Sequence, residues 1–175
     1  MKEVLNHTQL LEKIDGLAAS ILKKYPQLNE VVFVGIQQGG VVLADELVNA
    51  LQKRAGSAKI QYGQLDITFY RDDIRSEILA PDTMNIPFNI ENRNVVLIDD
   101  VLFTGRTIKA ALDVLLDYGR PAKVELCVLI DRKEHRQFPI QADYSGMNIS
   151  TDRSEKVKLT KGDDNELKVV LLSSS

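Results

Sequence analysis

The chain has 175 residues, within the range of about 100–200 expected of one domain, and its 44% hydrophobic and 27% charged content is typical of a soluble globular protein. Its 22 basic and 25 acidic side chains give a net charge of -3, which excludes a general attraction for nucleic acid, so an RNA site must be a local patch. No apolar run approaches the ~20 residues of a membrane span and no signal pattern opens the chain, which predicts a cytoplasmic location.

The first half of the chain predicts a helix, then a buried strand and a second helix. Asn6 or Thr8 caps the first helix, which stops at Tyr25-Pro26. The continuous apolar run 31–36 predicts a parallel strand, and the loop 37–40 leads into an amphipathic helix.

Cys127, the only cysteine, excludes an internal disulfide and is predicted to be buried.

Residues 60–70 alternate between apolar and polar side chains, as in a strand with one wet face. Residues 71–87 then predict a mobile loop, because 74–87 is polar and contains Pro81 and Pro87. A structureless loop of this length in a compact domain is usually functional. The alternative is a disordered insertion without a role.

The segment 95–107, V-V-L-I-D-D-V-L-F-T-G-R-T, is the most informative part of the chain. Val95 to Ile98 predict a strand buried on both faces, and the strand is expected to end in the charged pair Asp99-Asp100. A short turn then leads to residues 104–107, which open a helix.

This arrangement has a chemical use, because unpaired N–H groups and the positive dipole end at a helix start attract anions. Thr104 and Thr107 add hydroxyl donors, so a phosphate fits at residues 104–107. The two carboxylates are acceptors for a pair of neighbouring hydroxyls, and a ribose 5-phosphate offers both groups. The simpler alternative is that Asp100 begins the turn, Asp99 holds a metal and Thr104 is a plain N-cap.

Residues 124–130 predict another buried strand, which ends at Asp131-Arg132. Alternating strands and helices predict an α/β fold with a mostly parallel sheet, helices on both faces and ligand loops at one edge. The loops expected to meet there are 35–39, 99–107 and 131–136. Short strands are predicted at 147–149, 156–159 and 167–172. We expect parts of 1–10 and 140–175 to form a small hood over the site, within one domain spanning 1–175.

Four motifs carry a resemblance to a known family: L-D-I-T-F-Y-R-D-D at 65–73, D-D-V-L-F-T-G-R-T at 99–107, D-Y-G-R-P-A at 117–122 and V-L-I-D-R at 128–132. The second resembles the 5-phosphoribosyl 1-pyrophosphate motif of type I phosphoribosyltransferases. Together they resemble the pyrimidine operon attenuation protein family, bifunctional uracil phosphoribosyltransferases that also regulate by binding RNA. The likeness covers residues 31–158.

The resemblance implies the type I phosphoribosyltransferase fold and the formation of uridine monophosphate (UMP) and pyrophosphate from uracil and phosphoribosyl pyrophosphate. It implies Mg²⁺ bound through water by Asp99 and Asp100, which would also act in catalysis together with Arg71. The expected substrate-binding residues are Gly35, Ile36, Gln37, Gln38, Gly39, Asp99, Asp100, Val101, Leu102, Phe103, Thr104, Gly105, Arg106, Thr107, Asp131, Arg132, Asn148 and Ile149. A homodimer or a higher homo-oligomer is also implied.

Two features depart from the resembled family. Gln37-Gln38-Gly39 stands where relatives often have charged residues, so the pyrophosphate loop lacks charge-assisted hydrogen bonds. Relatives bind the leader mRNA of the pyrimidine operon through a basic face, but here Glu134 interrupts the basic cluster and Gln141 and Met147 replace basic residues. The candidate RNA residues are Arg132, Lys133, His135 and Arg136, and we expect RNA binding to be weak and salt-dependent, or absent.

Two other functions stay open at this stage. One is a phosphoribosyltransferase for another base, although orotate would favour a lysine-rich mobile loop and 74–87 contains no lysine. The other is a nucleotide-sensing, RNA-binding attenuator with little catalysis, which the neutral Gln37-Gln38 pair favours.

Overall fold

The structure, a computed structural model, describes residues 1–67 and 84–173 and contains two β-sheets. The strands in the described residues are β1 Lys2–Leu5, β2 Val31–Ile36, β3 Gln61–Leu65, β4 Met84–Asn85, β5 Asn94–Leu102, β6 Lys123–Arg132, β7 Tyr144–Ile149, β8 Lys156–Lys161 and β9 Leu167–Leu172. The helices are α1 His7–Lys24, α2 Gly39–Ala55 and α3 Arg106–Asp117, with short 3-10 turns at Leu28–Glu30 and Lys133–His135.

The main sheet has the strand order β4-β3-β2-β5-β6-β7. The pairs from β3 to β7 are parallel, and β4 alone runs antiparallel to its neighbour β3. Strands β2, β5 and β6 are buried on both faces, which explains their continuous apolar sequences. The predicted α/β fold with a mostly parallel sheet is confirmed.

Helices cover both faces of this sheet. On one face, residues such as Phe33 and Ile98 pack against α1 and α2, and on the other Val34 and Leu97 pack against α3. Alternating directions of side chains along each strand produce this division. Asn6 caps α1, as predicted, because its side chain accepts a hydrogen bond from the Gln9 N–H while the Gln9 side chain accepts one from the Asn6 N–H.

The smaller sheet has the order β1-β9-β8 and is antiparallel throughout. Its inner face contributes Leu5, Val157 and Val169 to the core shared with α1. The Leu167 N–H donates a hydrogen bond to His7 Nδ1 at 3.0 Å, which joins this sheet to the start of α1.

Three expectations about element boundaries were wrong. Strand β5 does not end before the acidic pair but continues to Leu102, because β6 extends to Arg132 and supplies its pairing partners. Met84–Asn85, expected in an irregular loop, pairs with β3 beside Gly63, where a Cβ would lie 2.9 Å from the Ile86 side chain. Residues 147–149, which we expected in the hood, belong instead to β7 of the main sheet.

None of the helices in the described ranges is long and apolar enough to cross a membrane.

Candidate active site

Asp99 and Asp100 lie near the carboxyl end of β5 and face opposite sides of the sheet. Asp99 is 7% exposed, and its Oδ1 accepts a hydrogen bond from the Asp100 N–H at 2.9 Å. Asp100 Oδ1 accepts one from the Val101 N–H, also at 2.9 Å. Burial, and then the neighbouring charge of Asp100, raise the pKa of Asp99 well above its ordinary value. A divalent cation or a set of hydroxyl donors would relieve this electrostatic cost.

Asp99 borders a cavity of about 160 Å³ formed by the loop after β5 and the first turn of α3. The other lining residues are Val101, Leu102, Phe103, Thr104, Gly105, Arg106, Thr107 and Ile108. Gly105 is the N-cap of α3 and has a φ of 92°, a conformation that favours glycine. The cavity therefore lies where the first N–H groups of a helix point, which suits a phosphate-sized anion.

The wall of this cavity is supported by the segment after β6. The Thr104 carbonyl accepts hydrogen bonds from the N–H groups of Gln137 and Phe138 at 2.8 and 3.2 Å. A Cβ on Gly105 would lie 3.3 Å from Ile140 Cδ1, so Ile140 packs directly on the loop. Sequence analysis missed this support, and no local signal indicates it because the contacts join residues more than 30 positions apart.

Asp100 faces the second loop, residues 37–40, at the end of β2. A Cβ on Gly40 would lie 2.4 Å from the Ile98 carbonyl oxygen, so the start of α2 approaches the β5 backbone closely. The Gln37–Gln38 peptide bond is cis, and the Gln37 N–H donates a hydrogen bond to the Leu65 carbonyl at 2.8 Å. The loops 35–39 and 99–107 therefore meet at one edge of the sheet, as the topology predicted.

The third loop, 131–136, lies beside the first. Arg136 donates a hydrogen bond to the Phe103 carbonyl and forms an ion pair with Asp131 at 2.8 Å. Asp131 is in register with Asn148 of β7, and Arg132 with Ile149. The structure therefore brings together four of the expected substrate-binding residues, at the ends of two adjacent strands.

Arg132 does not lie on the surface, which removes it from the expected RNA contacts. It is 3% exposed, and its guanidinium donates hydrogen bonds to Thr151 Oγ1 at 2.8 Å and to two carbonyls, those of Asp152 at 3.0 Å and Glu155 at 2.9 Å. The guanidinium carbon also lies 3.7 Å from the centre of the Phe103 ring. Burial lowers the pKa of Arg132.

The other expected RNA residues differ in exposure. Lys133 is exposed, whereas His135 and Arg136 are half-buried. The His135 Nε2 lies 2.7 Å from the Thr151 carbonyl, and its ring packs edge-on against Phe103 at 5.3 Å. Thr151, which sequence analysis did not select, thus contacts both Arg132 and His135.

Arg71 and most of the expected loop 71–87 lie outside the described residues. Within the described ranges, no group of three or more His, Cys, Asp or Glu side chains could hold a metal ion by itself. Asp99 and Asp100 are adjacent in sequence and both lie near this edge of the sheet.

The chain belongs to the phosphoribosyl transferase domain family, whose model matches residues 1–164. It is therefore a phosphoribosyltransferase, an enzyme that transfers a pentosyl group. More narrowly, it belongs to the family of bifunctional PyrR proteins, as the resemblance indicated. The protein of this name from Geobacter sp. strain M21 is 44% identical over 97% of this chain and 96% of its own length. The one from Pasteurella multocida is 42% identical over 98% and 97%.

Solved structures agree on the fold. A hypoxanthine-guanine phosphoribosyltransferase from Bacillus anthracis matches with a TM-score of 0.68 and 23% identity, covering 89% of this chain and 85% of that chain. The hypoxanthine phosphoribosyltransferase of Trypanosoma cruzi matches with a TM-score of 0.70 and 19% identity, covering 100% and 98%. At these identities the matches confirm the type I phosphoribosyltransferase fold.

Proposed function

We propose that the protein transfers ribose 5-phosphate from phosphoribosyl pyrophosphate to N1 of uracil. The bond from C1 of the ribose to the pyrophosphate oxygen breaks, the bond from C1 to N1 forms, and the N1 proton is released to water. UMP and pyrophosphate are the products. The observation that carries this proposal is the phosphate-sized cavity at the start of α3, bordered by the buried carboxylate of Asp99.

Each end of the donor has a proposed binding site. Residues 104–107, with their backbone N–H groups and hydroxyls, would bind the 5-phosphate. Asp99 and Asp100 would accept hydrogen bonds from the ribose hydroxyls. Residues 35–39 would bind pyrophosphate mainly through backbone N–H groups and the amides of Gln37 and Gln38. We keep Arg71 as the proposed source of positive charge for pyrophosphate.

The acidic pair also fits Mg²⁺, which the phosphoribosyl pyrophosphate reaction would use. Magnesium prefers carboxylate and water oxygens and is commonly held by one or two carboxylates together with substrate phosphates. Two adjacent carboxylates, one of them buried beside the phosphate-sized cavity, supply such oxygens. When bound, the ion would neutralise charge on pyrophosphate and on the two carboxylates.

Uracil would bind where β6 and β7 end. Asp131 and Asn148 offer polar groups in register there, and Arg132 and Ile149 follow them. We propose that the sheet β1-β9-β8 is the hood of this pocket, because the turn 152–155 that enters β8 is held by Arg132. A covered pocket excludes water from the positive charge that develops on the ribose.

A second proposed function is regulation of pyrimidine genes by UMP-dependent binding of leader mRNA. The similarity to bifunctional proteins supports it. Lys133 supplies one exposed cation beside the site, whereas Arg132 is buried and Arg136 is paired with Asp131. We therefore expect weak, salt-dependent binding or none, since few phosphate contacts remain to supply affinity.

Two parts of the proposal concern the whole protein. We propose that the protein forms a homodimer or a higher homo-oligomer, and light scattering after gel filtration measures the mass of the assembly. A cytoplasmic location is the other, and it suits a chain whose single cysteine is buried as a thiol.

The decisive experiment offers purified protein phosphoribosyl pyrophosphate, Mg²⁺ and one base at a time, from uracil, orotate, adenine and hypoxanthine. We expect UMP and pyrophosphate in equal amounts with uracil, and little turnover of the other bases. Faster turnover of another base would contradict the choice of uracil. UMP-enhanced, tight binding of leader RNA without turnover would instead support the sensor without catalysis.

A further inference from the structure

The buried guanidinium of Arg132 joins two parts of the candidate active site. Its carbon lies 3.7 Å from the centre of the Phe103 ring, and Phe103 lines the phosphate-sized cavity. Its N–H groups donate hydrogen bonds to the Thr151 hydroxyl at 2.8 Å and to two carbonyls of the turn 152–155. We call this turn the hood turn, because it leads into β8. One side chain therefore connects the loop after β5 with the proposed hood.

The loop after β5 is also held by residues other than Arg132. The Phe103 carbonyl accepts a hydrogen bond from Arg136. The Thr104 carbonyl accepts two more, from the N–H groups of Gln137 and Phe138. These contacts do not involve Arg132, so we expect the loop to keep its place when the guanidinium is removed.

The hood turn depends more strongly on Arg132. Inside the turn, the Glu155 N–H donates to the Asp152 carbonyl and the Asp152 N–H donates to the Glu155 carboxylate, which closes the turn without attaching it to the main sheet. The hydrogen bonds that attach the carbonyls of residues 152 and 155 to the main sheet come from Arg132. Residues 150–151, just before the turn, are held separately by Glu134 and His135. Arg132 therefore fixes the turn itself.

We propose that Arg132 is a positioning residue: it holds the hood turn against the loop that would bind the 5-phosphate, and so sets the depth of the pocket for the base. This inference rests on the proposed function of the site. Arg132 is the last residue of β6, and uracil would bind where β6 and β7 end. Loss of the guanidinium should therefore weaken the binding of uracil more than that of phosphoribosyl pyrophosphate.

Lysine at this position would keep the charge and lose the geometry. An ammonium group is not planar and has a single nitrogen, so it cannot both stack on Phe103 and reach three separate acceptors. Arg132→Lys is therefore a specific test of the connection. Arg54→Lys is the matched control, because it makes the same chemical change in an exposed ion pair with Asp15 between α2 and α1.

The first readout is steady-state kinetics in which uracil and phosphoribosyl pyrophosphate are varied separately. We expect Arg132→Lys to raise the KM for uracil about tenfold and the KM for phosphoribosyl pyrophosphate by no more than about twofold. Arg54→Lys should change neither value.

A milder variant, Thr151→Val, removes one acceptor of the guanidinium at a buried position that no substrate is proposed to contact. It should raise the KM for uracil about threefold. If Arg132→Lys does not fold, this variant carries the test.

The second readout does not depend on turnover. Hydrogen exchange followed by mass spectrometry should show exchange about tenfold faster in the peptide 150–157 of both variants, because the hood turn opens more often. Exchange in the peptide 7–24, which covers α1, should stay as in the wild type.

Three results would overturn the inference. An equal rise of both KM values would show that Arg132 acts on the donor site. A raised KM for uracil in Arg132→Lys but not in Thr151→Val would show that Arg132 contacts the base directly. Faster exchange throughout the chain with unchanged KM values would show that Arg132 only stabilises the fold.

A wild type without turnover of uracil counts against the proposed function instead. The exchange of the peptide 150–157 then still decides whether Arg132 holds the hood turn. Unchanged exchange of this peptide in both variants would contradict the connection itself.

Discussion

Two buried carboxylates on adjacent strands have opposite surroundings. Glu125 of β6 is 2% exposed and lies near the amino end of the main sheet. It accepts hydrogen bonds from Lys24, Tyr25 and Tyr144, and so links the end of α1 to β7. Asp99 of β5 lies near the opposite edge, and its side chain accepts a hydrogen bond from the backbone N–H of Asp100. The side chain of Asp100 is a second carboxylate.

The surroundings move the two pKa values in opposite directions. Burial raises the pKa of Asp99, and the neighbouring charge of Asp100 raises it further. Burial alone would also raise the pKa of Glu125, but the hydrogen bonds from Lys24 and Tyr25 outweigh it and hold the pKa below its ordinary value. Glu125 in turn contributes, after burial, to raising the pKa of Tyr25 to about 12.

The comparison separates structural from functional acids. An acid that is buried with its donors already present stabilises the fold, whereas one that is buried without them destabilises the free protein and gains its partners from a ligand. Glu125 is of the first kind. Asp99 is of the second, and it lies beside the phosphate-sized cavity.

The largest expected effect comes from replacing Asp99. Asp99→Asn should lower the rate of phosphoribosyl transfer by about 10²-fold, since one group that stabilises charge in the site is lost. Its free energy of unfolding should stay the same or rise by up to about 1 kcal/mol, because a buried, repelled charge is removed. Steady-state kinetics and urea unfolding measure the two quantities. A marked loss of stability with unchanged turnover would reverse the assignment.

Glu125→Gln should have the converse effect. It removes the charged acceptor for Tyr25 and Tyr144, so the free energy of unfolding should fall by about 1–2 kcal/mol. Turnover should change less than twofold, because the residue lies away from the carboxyl edge of the sheet. Tyr25→Phe is the matched control, which loses one of these hydrogen bonds and should lose about 1 kcal/mol. A large effect on turnover would show that the two edges are coupled.

The pH dependence of stability should report Glu125. Its folded pKa lies below the ordinary value of 4.5, so its contribution is fully present above pH 4.5 and is lost as the pH falls through the folded pKa. The stability difference between wild type and Glu125→Gln should therefore be constant near neutral pH and shrink below pH 4.5. Unfolding in urea at several pH values checks this, and a difference that grows in acid would contradict it.

The smallest expected effect concerns RNA at the carboxyl edge. Lys133→Ala should reduce the slope of log affinity against log salt by about one unit if Lys133 contacts a phosphate. Lys161→Ala, at the end of β8, is a control that removes the same charge from an exposed position. Fluorescence titration with leader RNA measures both variants, and equal slopes for both would leave Lys133 without a specific role.

The sequence predicted those parts of the molecule whose signal is local. The run 31–36 and residues 95–98 are apolar on both faces, so the sequence alone predicted two buried strands. The residue types of 104–107 predicted the loop that opens the next helix. The same is true of the helix cap at Asn6.

What sequence analysis missed depends on distant partners. Arginine usually lies on the surface. Arg132 can be buried because its guanidinium donates hydrogen bonds to Thr151 and to the carbonyls of residues 152 and 155. The extension of β5 through Asp99 depends on the length of β6, and the placement of residues 144–149 depends on the free edge of β6. Gly39 at the start of α2 lies close to Asp100 near the end of β5, 61 positions away, and only the fold brings them together.

The most direct test of the division between the two edges is to measure UMP formation and unfolding for Asp100→Asn and Glu125→Gln in the same assays. The account predicts that Asp100→Asn loses turnover by about 10²-fold with near-normal stability, and that Glu125→Gln loses stability with near-normal turnover. Unchanged turnover in Asp100→Asn would contradict the central claim that the acidic pair of β5 binds the phosphoribosyl group.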